Sequence, residues 1–230
     1  MLRKLLIILI VLASCKGTSQ EAINVLSPVI GLNDSHTELI HEKVKIFPNG
    51  SQLAIALIDG QQTLFYGVER RNDSLVTINN SEAVFEIGSI TKVFTSTLLA
   101  QEVVKGALLL DQNVAELLKM EFHSGNDITL KELANHTSGM PRLAGNLFAH
   151  VKDQTNPYRD YSPEILINYL RDELKLLDKK EYAYSNTGVA LLGHSLSLYF
   201  ERPYTEVIAE KVFVPLQMQH TVFGAENAGD

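Results

Sequence analysis

The sequence is poor in cysteine: its 230 residues contain one, Cys15. A single thiol excludes an internal disulfide framework. A surplus of positive charge is also lacking, with 20 Lys and Arg against 27 Asp and Glu and a net charge of −7. Binding to nucleic acid rests on neutralising phosphates with Lys and Arg, so no nucleic-acid partner is expected. The seven histidines show no metal-ligand spacing, so neither a metal nor another cofactor is expected. No internal repeat or low-complexity tract occurs, which excludes solenoids and disordered scaffolds. Long apolar runs are missing as well: Leu5–Leu12 spans eight residues, too short to cross a bilayer as a helix.

What is present is ordinary for a globular protein with a sizeable core, 45% hydrophobic and 20% charged, in one large domain or two small ones. The first residues stand apart from that body. Arg3 and Lys4 precede the apolar run, the pattern of a secretory signal. The run ends in Leu12-Ala13-Ser14-Cys15, which resembles a bacterial lipobox, where cleavage precedes the cysteine and its thiol receives a diacylglyceryl group. The expectation is a signal peptide at 1–14, a lipidated Cys15 with a polar tether at 15–36, and a folded body from 37 to 230. Cleavage would leave 18 basic against 27 acidic side chains, a net −9. Such a protein would sit in the cell envelope, lipid-anchored and facing the periplasm, and its one thiol would be unavailable as a nucleophile.

Along the body, 36–47 suits a helix closed by Pro48-Asn49-Gly50. Leu53, Ile55 and Leu57 alternate as in a strand, Asp59-Gly60 is a hairpin signal, and 63–68 is the return strand. Beyond the hairpin the pattern is mainly helical. Val93, Phe94, Leu98, Leu99 and Val103 predict a helix over 89–105 with Gly106 as its cap. Thr129 and Glu132 form a capping box before a short helix. Ser162-Pro163 opens a helix running to about Leu176, and another spans 187–200. A lone hairpin is marginal, so its strands need further partners.

Ser89-Ile90-Thr91-Lys92 stands at the start of the 89–105 helix. A spacing of three puts hydroxyl and amine on one helical face. A serine becomes nucleophilic when a neighbouring base takes its proton. Lysine is such a base if burial or nearby cations lower its pKa, to which the apolar flank Val93-Phe94 would contribute. This spacing occurs about once by chance in a chain of this length, so alone it equally describes a helix cap with a solvated lysine. Tyr182-Ala183-Tyr184-Ser185-Asn186-Thr187-Gly188 supplies a phenol for proton shuttling and an amide able to hold a lysine and a substrate carbonyl. Tyr184 and Asn186 share a side if the segment is extended. Alone, it equally describes a loop tyrosine and a capping asparagine.

In this order, with Leu133-Ala134-Asn135-His136-Thr137-Ser138-Gly139-Met140-Pro141 between them, the motifs resemble the class C serine β-lactamase family, which also contains DD-carboxypeptidases and esterases. Phe85–Lys92, Tyr184-Ser185-Asn186 and Val214–Thr221 match, and the likeness extends back through the hairpin at 52–68. Asn156-Pro157-Tyr158-Arg159-Asp160-Tyr161 looks most like the peptidoglycan carboxypeptidase/endopeptidase members. The resemblance implies an α+β fold: an antiparallel sheet flanked by helices plus an all-α region. It implies acylation of Ser89, shared base and acid work by Lys92 and Tyr184, substrate-amide binding by Asn186, half an oxyanion hole from the Ser89 N–H, and a structural His136. Substrates would be D-Ala-D-Ala peptides, β-lactams or related amides and esters. The alternatives are a penicillin- or peptidoglycan-binding module with little turnover, or an inactive fragment. Where class C β-lactamases carry a glutamine after the Gly-Leu-Pro stretch, this chain has Arg142-Leu143, which points away from efficient penicillin hydrolysis. The family's Lys/His-Thr/Ser-Gly triplet has no match before Asp230, so the expectation is a chain stopping short of the C-terminal strands.

Overall fold

A computed structural model describes residues 21–27, 31–125 and 127–224. The expected signal peptide and Cys15 lie outside the described residues. The chain divides into two compact units, one ending at Glu86 and one beginning at Ile87.

The first unit is a four-stranded sheet in the order β1-β4-β3-β2, with β1 Ile23–Asn24, β2 Gln52–Asp59, β3 Gln62–Arg71 and β4 Ser74–Ile78. β2 and β3 form the expected hairpin, with Asp59 opposite Gln62. Gly60 supplies a positive φ of 63°, which a two-residue hairpin turn favours. A second tight turn, with Asn72 at φ 52°, reverses the chain again and pairs Arg71 with Ser74. The hairpin thus obtains its next partner from the residues that follow it. The sheet is mixed, because β1 runs parallel to β4.

That last pairing alters the picture of a tether reaching to residue 36. Ile23 and Val25 donate backbone hydrogen bonds to Asp73 and Leu75, and Ala22 and Leu26 are buried. Helix α1, Asp34–Val44, starts inside the same stretch, where Asn33 and His36 form a reciprocal cap. Tyr66, Val68, Leu53, Leu75 and Val44 make this unit's core. Within it the buried Arg70 donates to the carbonyls of Lys45 and Asn72.

The second unit is helical. A 3₁₀ turn at Gly88–Ile90 leads into α2, Thr91–Val104, which ends with Gly106 at φ 73°. Then follow α3 Val114–Leu118, α4 Leu130–Ala134, α5 Pro163–Asp172, α6 Asn186–Tyr199 and α7 Tyr204–Ile208, the last continuing into a π-helical turn at Ala209–Phe213. The Thr129/Glu132 capping box is formed in both directions. Helix α5 ends earlier than its apolar pattern predicts: Glu173 leaves helical geometry, and Leu174 drops into the core with no exposed surface. Leu98 and Leu99 of α2, Leu133 of α4, Leu170 of α5 and Leu191 and Leu192 of α6 pack together. The helix bearing Lys92 is therefore fixed at its back by the same core that holds α6.

Candidate active site

Ser89 does not begin α2 but lies in the 3₁₀ turn before it, and Lys92 is in the first turn of α2 proper. Gly88 permits the approach: its φ is 50°, while an added Cβ would meet nothing within 4 Å, so the constraint is backbone conformation, not space. Ser89 is exposed, and Lys92 Nζ donates to its Oγ at 3.1 Å. The Ser89 N–H makes no hydrogen bond among the described residues. Of the apolar flank expected to desolvate Lys92, Val93 faces solvent and Phe94 packs edge-on against Phe213 at 5.3 Å. Neighbours on a helix point about 100° apart, so residues 93 and 94 cannot cover the face that carries 92. What stands beside the ammonium is the Tyr184 ring, with Nζ 4.9 Å from its centre.

Tyr184 arrives on a second chain segment, just before α6. Four hydrogen bonds lay residues 183–186 against 136–142: Ala183 N–H to His136 O at 2.8 Å, Ser185 N–H to His136 Nδ1 at 3.2 Å, Ser185 Oγ to Pro141 O at 2.7 Å, and Asn186 N–H to Arg142 O at 2.9 Å. Ser185 is extended, with φ −128° and ψ 116°, and caps α6 by accepting from the Gly188 N–H. Its neighbours Tyr184 and Asn186 consequently share a side. The Tyr184 hydroxyl donates to Ser89 Oγ at 2.6 Å. His136, itself at φ 63°, lies against the Tyr184 ring with centres 4.5 Å apart. A structural part for His136 is what these contacts describe: its carbonyl and Nδ1 hold the strand-like segment and its ring supports the phenol.

The electrostatics make the phenol easier to ionise than a free tyrosine. Partial burial pushes the Tyr184 pKa up, but hydrogen bonding to Lys92 and Ser89 and the charges of Lys92 and Arg142 outweigh it, and the net shift is downward from 10. His136 lies below its ordinary 6.5, first through burial and then through the Lys92 charge. That matches its neutral, accepting Nδ1. His194 is lowered by burial.

Ser89, Lys92 and Asn186 line one cavity of about 740 Å³ with Thr95, His194 and Tyr204. Asn186 is not turned to Lys92: its Nδ2 donates to the Tyr158 hydroxyl at 3.1 Å. Tyr158 was invisible to spacing arguments, since it lies on a loop between the two motifs and meets Asn186 only through the fold. Its sequence signal is the Asn156–Tyr161 segment, which resembles the carboxypeptidase/endopeptidase members without pointing to Asn186. His194, two turns beyond Asn186 on α6, enters the cavity by the same route. The arrangement can pass a proton from a hydroxyl to a phenolate or amine, beside free backbone N–H capacity.

Comparison with known proteins agrees with the motifs. The Beta-lactamase family model matches residues 48–230. The chain is 29% identical over 177 residues to D-alanyl-D-alanine-carboxypeptidase/endopeptidase AmpH of Escherichia coli strain K12, covering 74% of this chain and 45% of that protein. It is 27% identical to a Beta-lactamase of Providencia stuartii, over 75% of this chain and 42% of the relative. Among solved structures, the octameric penicillin-binding protein homologue from Pyrococcus abyssi superposes with a TM-score of 0.63 at 26% identity, over 82% of this chain and 44% of that one. The chain thus spans less than half the length of these relatives. With the family match running from just before β2 through the Ser89 and Tyr184 motifs and on to Asp230, the chain belongs to the β-lactamase family.

Proposed function

We propose that the protein is a serine hydrolase working through an acyl-enzyme on D-Ala-D-Ala peptides, β-lactams or related amides and esters. The observation that carries this reading is the convergence of Lys92 Nζ and Tyr184 Oη on Ser89 Oγ, at 3.1 and 2.6 Å. With Tyr184 ionised, its oxygen accepts the Ser89 proton as Oγ attacks the carbonyl carbon. Lys92 holds the phenolate and relays the proton to the leaving amine or alkoxide. The Ser89 N–H donates to the developing oxyanion. Asn186 takes the substrate amide in place of Tyr158. Water then attacks the seryl ester, with the same base removing its proton. The relatives' names, a DD-carboxypeptidase/endopeptidase and a β-lactamase, support this substrate range.

The leader suggests where the reaction occurs: cleavage before Cys15, lipid on its thiol, and a catalytic body on the periplasmic side of a bacterial membrane. A fluorescent penicillin or fluorophosphonate tests the core of the reading. Wild-type protein should label at one site, Ser89→Ala should not label, and Lys92→Ala should label about 10²–10⁴-fold more slowly. Stoichiometric labelling of the Ser89→Ala protein would refute it.

A further inference from the structure

Six arginines fall among the described residues, and five of them are engaged by oxygen. Arg70 holds two backbone carbonyls, Arg71 holds Glu69, Arg159 holds Asp153, Arg171 holds Asp172, and Arg202 holds Glu206 and Glu210. Arg142 holds none. Its guanidinium is exposed, makes no hydrogen bond or ion pair among the described residues, and rests over the Tyr184 ring with Cζ 5.1 Å from the centre. Its position is not slack, because the Arg142 carbonyl accepts the Asn186 N–H at 2.9 Å, tying its backbone to the site. The neighbouring cavity is lined by Lys92 and no carboxylate. In a chain with 27 acidic side chains, two cations flanking one phenol, with no acid among the described residues to neutralise them, form a local positive field prepared for an anion. A guanidinium offers a planar fork that fits a carboxylate in two parallel hydrogen bonds.

We infer that Arg142 is a substrate-recognition residue that pairs with a carboxylate of the substrate, so that acidic acyl peptides are the substrates this site prefers. The inference rests on the acyl-serine reading and adds a substrate class to it. The carboxylate is a side chain on the peptide's acyl portion, which the fork can take in two parallel hydrogen bonds. Pairing also neutralises one of the charges that favour ionised Tyr184. The pH limb governed by that phenol should therefore lie higher in the substrate complex than in the free enzyme, and only for acidic substrates.

The test uses four matched peptides on the full protein: Glu or Gln in the acyl portion, each with a free C-terminal carboxylate or a carboxamide. Measured at pH values above the Tyr184 limb, Arg142→Ala should lower kcat/KM about 10–100-fold for the Glu peptides, chiefly through KM, and little for their Gln matches. Arg142→Lys should restore part of the loss. A loss that follows only the C-terminal carboxylate, and not the Glu side chain, would overturn the inference. An equal loss on all four peptides, or no loss on any, would overturn the inference. Titration calorimetry of the same peptides into Ser89→Ala protein separates this outcome from failure of the acyl-serine reading. A carboxylate preference that vanishes with Arg142→Ala supports recognition even without turnover, and absence of any preference refutes it.

Discussion

Ser89 Oγ accepts from two donors, Lys92 Nζ and Tyr184 Oη, so catalysis requires one of these bonds to reverse. The Tyr184 pKa is displaced toward the accepting, ionised form. Tyr184→Phe should therefore slow acylation about 10²–10⁴-fold in a single-turnover measurement. Acylation by the wild-type protein should rise with pH along a limb below 10, since the phenolate is the base form. Removing a neighbouring cation destabilises the phenolate, so the limb should move to higher pH in Arg142→Ala. A limb that stays in place would show that the Arg142 charge does not reach the phenol. His136 makes a separate prediction. Its folded pKa is depressed, so the unfolded chain binds the extra proton first as pH falls below 6.5. The stability it contributes is complete above the unfolded value and is lost as pH drops through the folded one. Melting temperature should fall between pH 7 and 5.5, and His136→Asn should flatten part of that slope. An unchanged slope would contradict this account of His136.

At the scale of elements, the site depends on how 183–186 is laid along 136–142. Ser185 serves twice, capping α6 and donating to Pro141 O. Ser185→Ala should cost about 0.5–2 kcal/mol in denaturant unfolding. It should also slow acylation, because Tyr184 and Asn186 flank it; stability loss with unaltered acylation would separate the two roles. In the sheet, a Cβ on Gly67 would come within 2.5 Å of the Ile78 carbonyl, so Gly67→Ala should destabilise the first unit, visible as faster amide exchange in β3 and β4. These elements also show what was legible beforehand. The β2–β3 hairpin, the 129/132 capping box, the Gly106 cap and the Ser162-Pro163 start are local signals, and each element formed where its residues put it. Strand β4 was missed because the pattern ends the return strand at 68 and reads as mainly helical beyond the hairpin, while β3 runs on to Arg71 with Arg70 buried against carbonyls. Strand β1 is two residues long and gains its order from pairing with β4, a partner some fifty residues away in sequence. Within the site, the Ser89/Lys92 spacing was readable from helical geometry, and Tyr184 with Asn186 from an extended Ser185. Tyr158 at Asn186 and the Arg142 guanidinium over Tyr184 were not, since loop positions acquire their neighbours only from the complete fold.

For the whole molecule, the leader and the hydrolase motifs are independent claims and can fail separately. Detergent partitioning tests the first. Wild-type protein should enter the detergent phase with fatty acid on Cys15, and Cys15→Ser should leave an uncleaved or aqueous species. Wild-type protein recovered wholly in the aqueous phase with an intact N-terminus would contradict it. The second claim stands on Ser89 becoming an ester. The most direct measurement is mass spectrometry of protein quenched during reaction with a penicillin or a D-Ala-D-Ala ester, followed by peptide mapping. The account predicts one added acyl group, located on the peptide containing Ser89, decaying with time and absent from Ser89→Ala. An acyl group mapped to any other residue, or turnover that persists in Ser89→Ala, would contradict it.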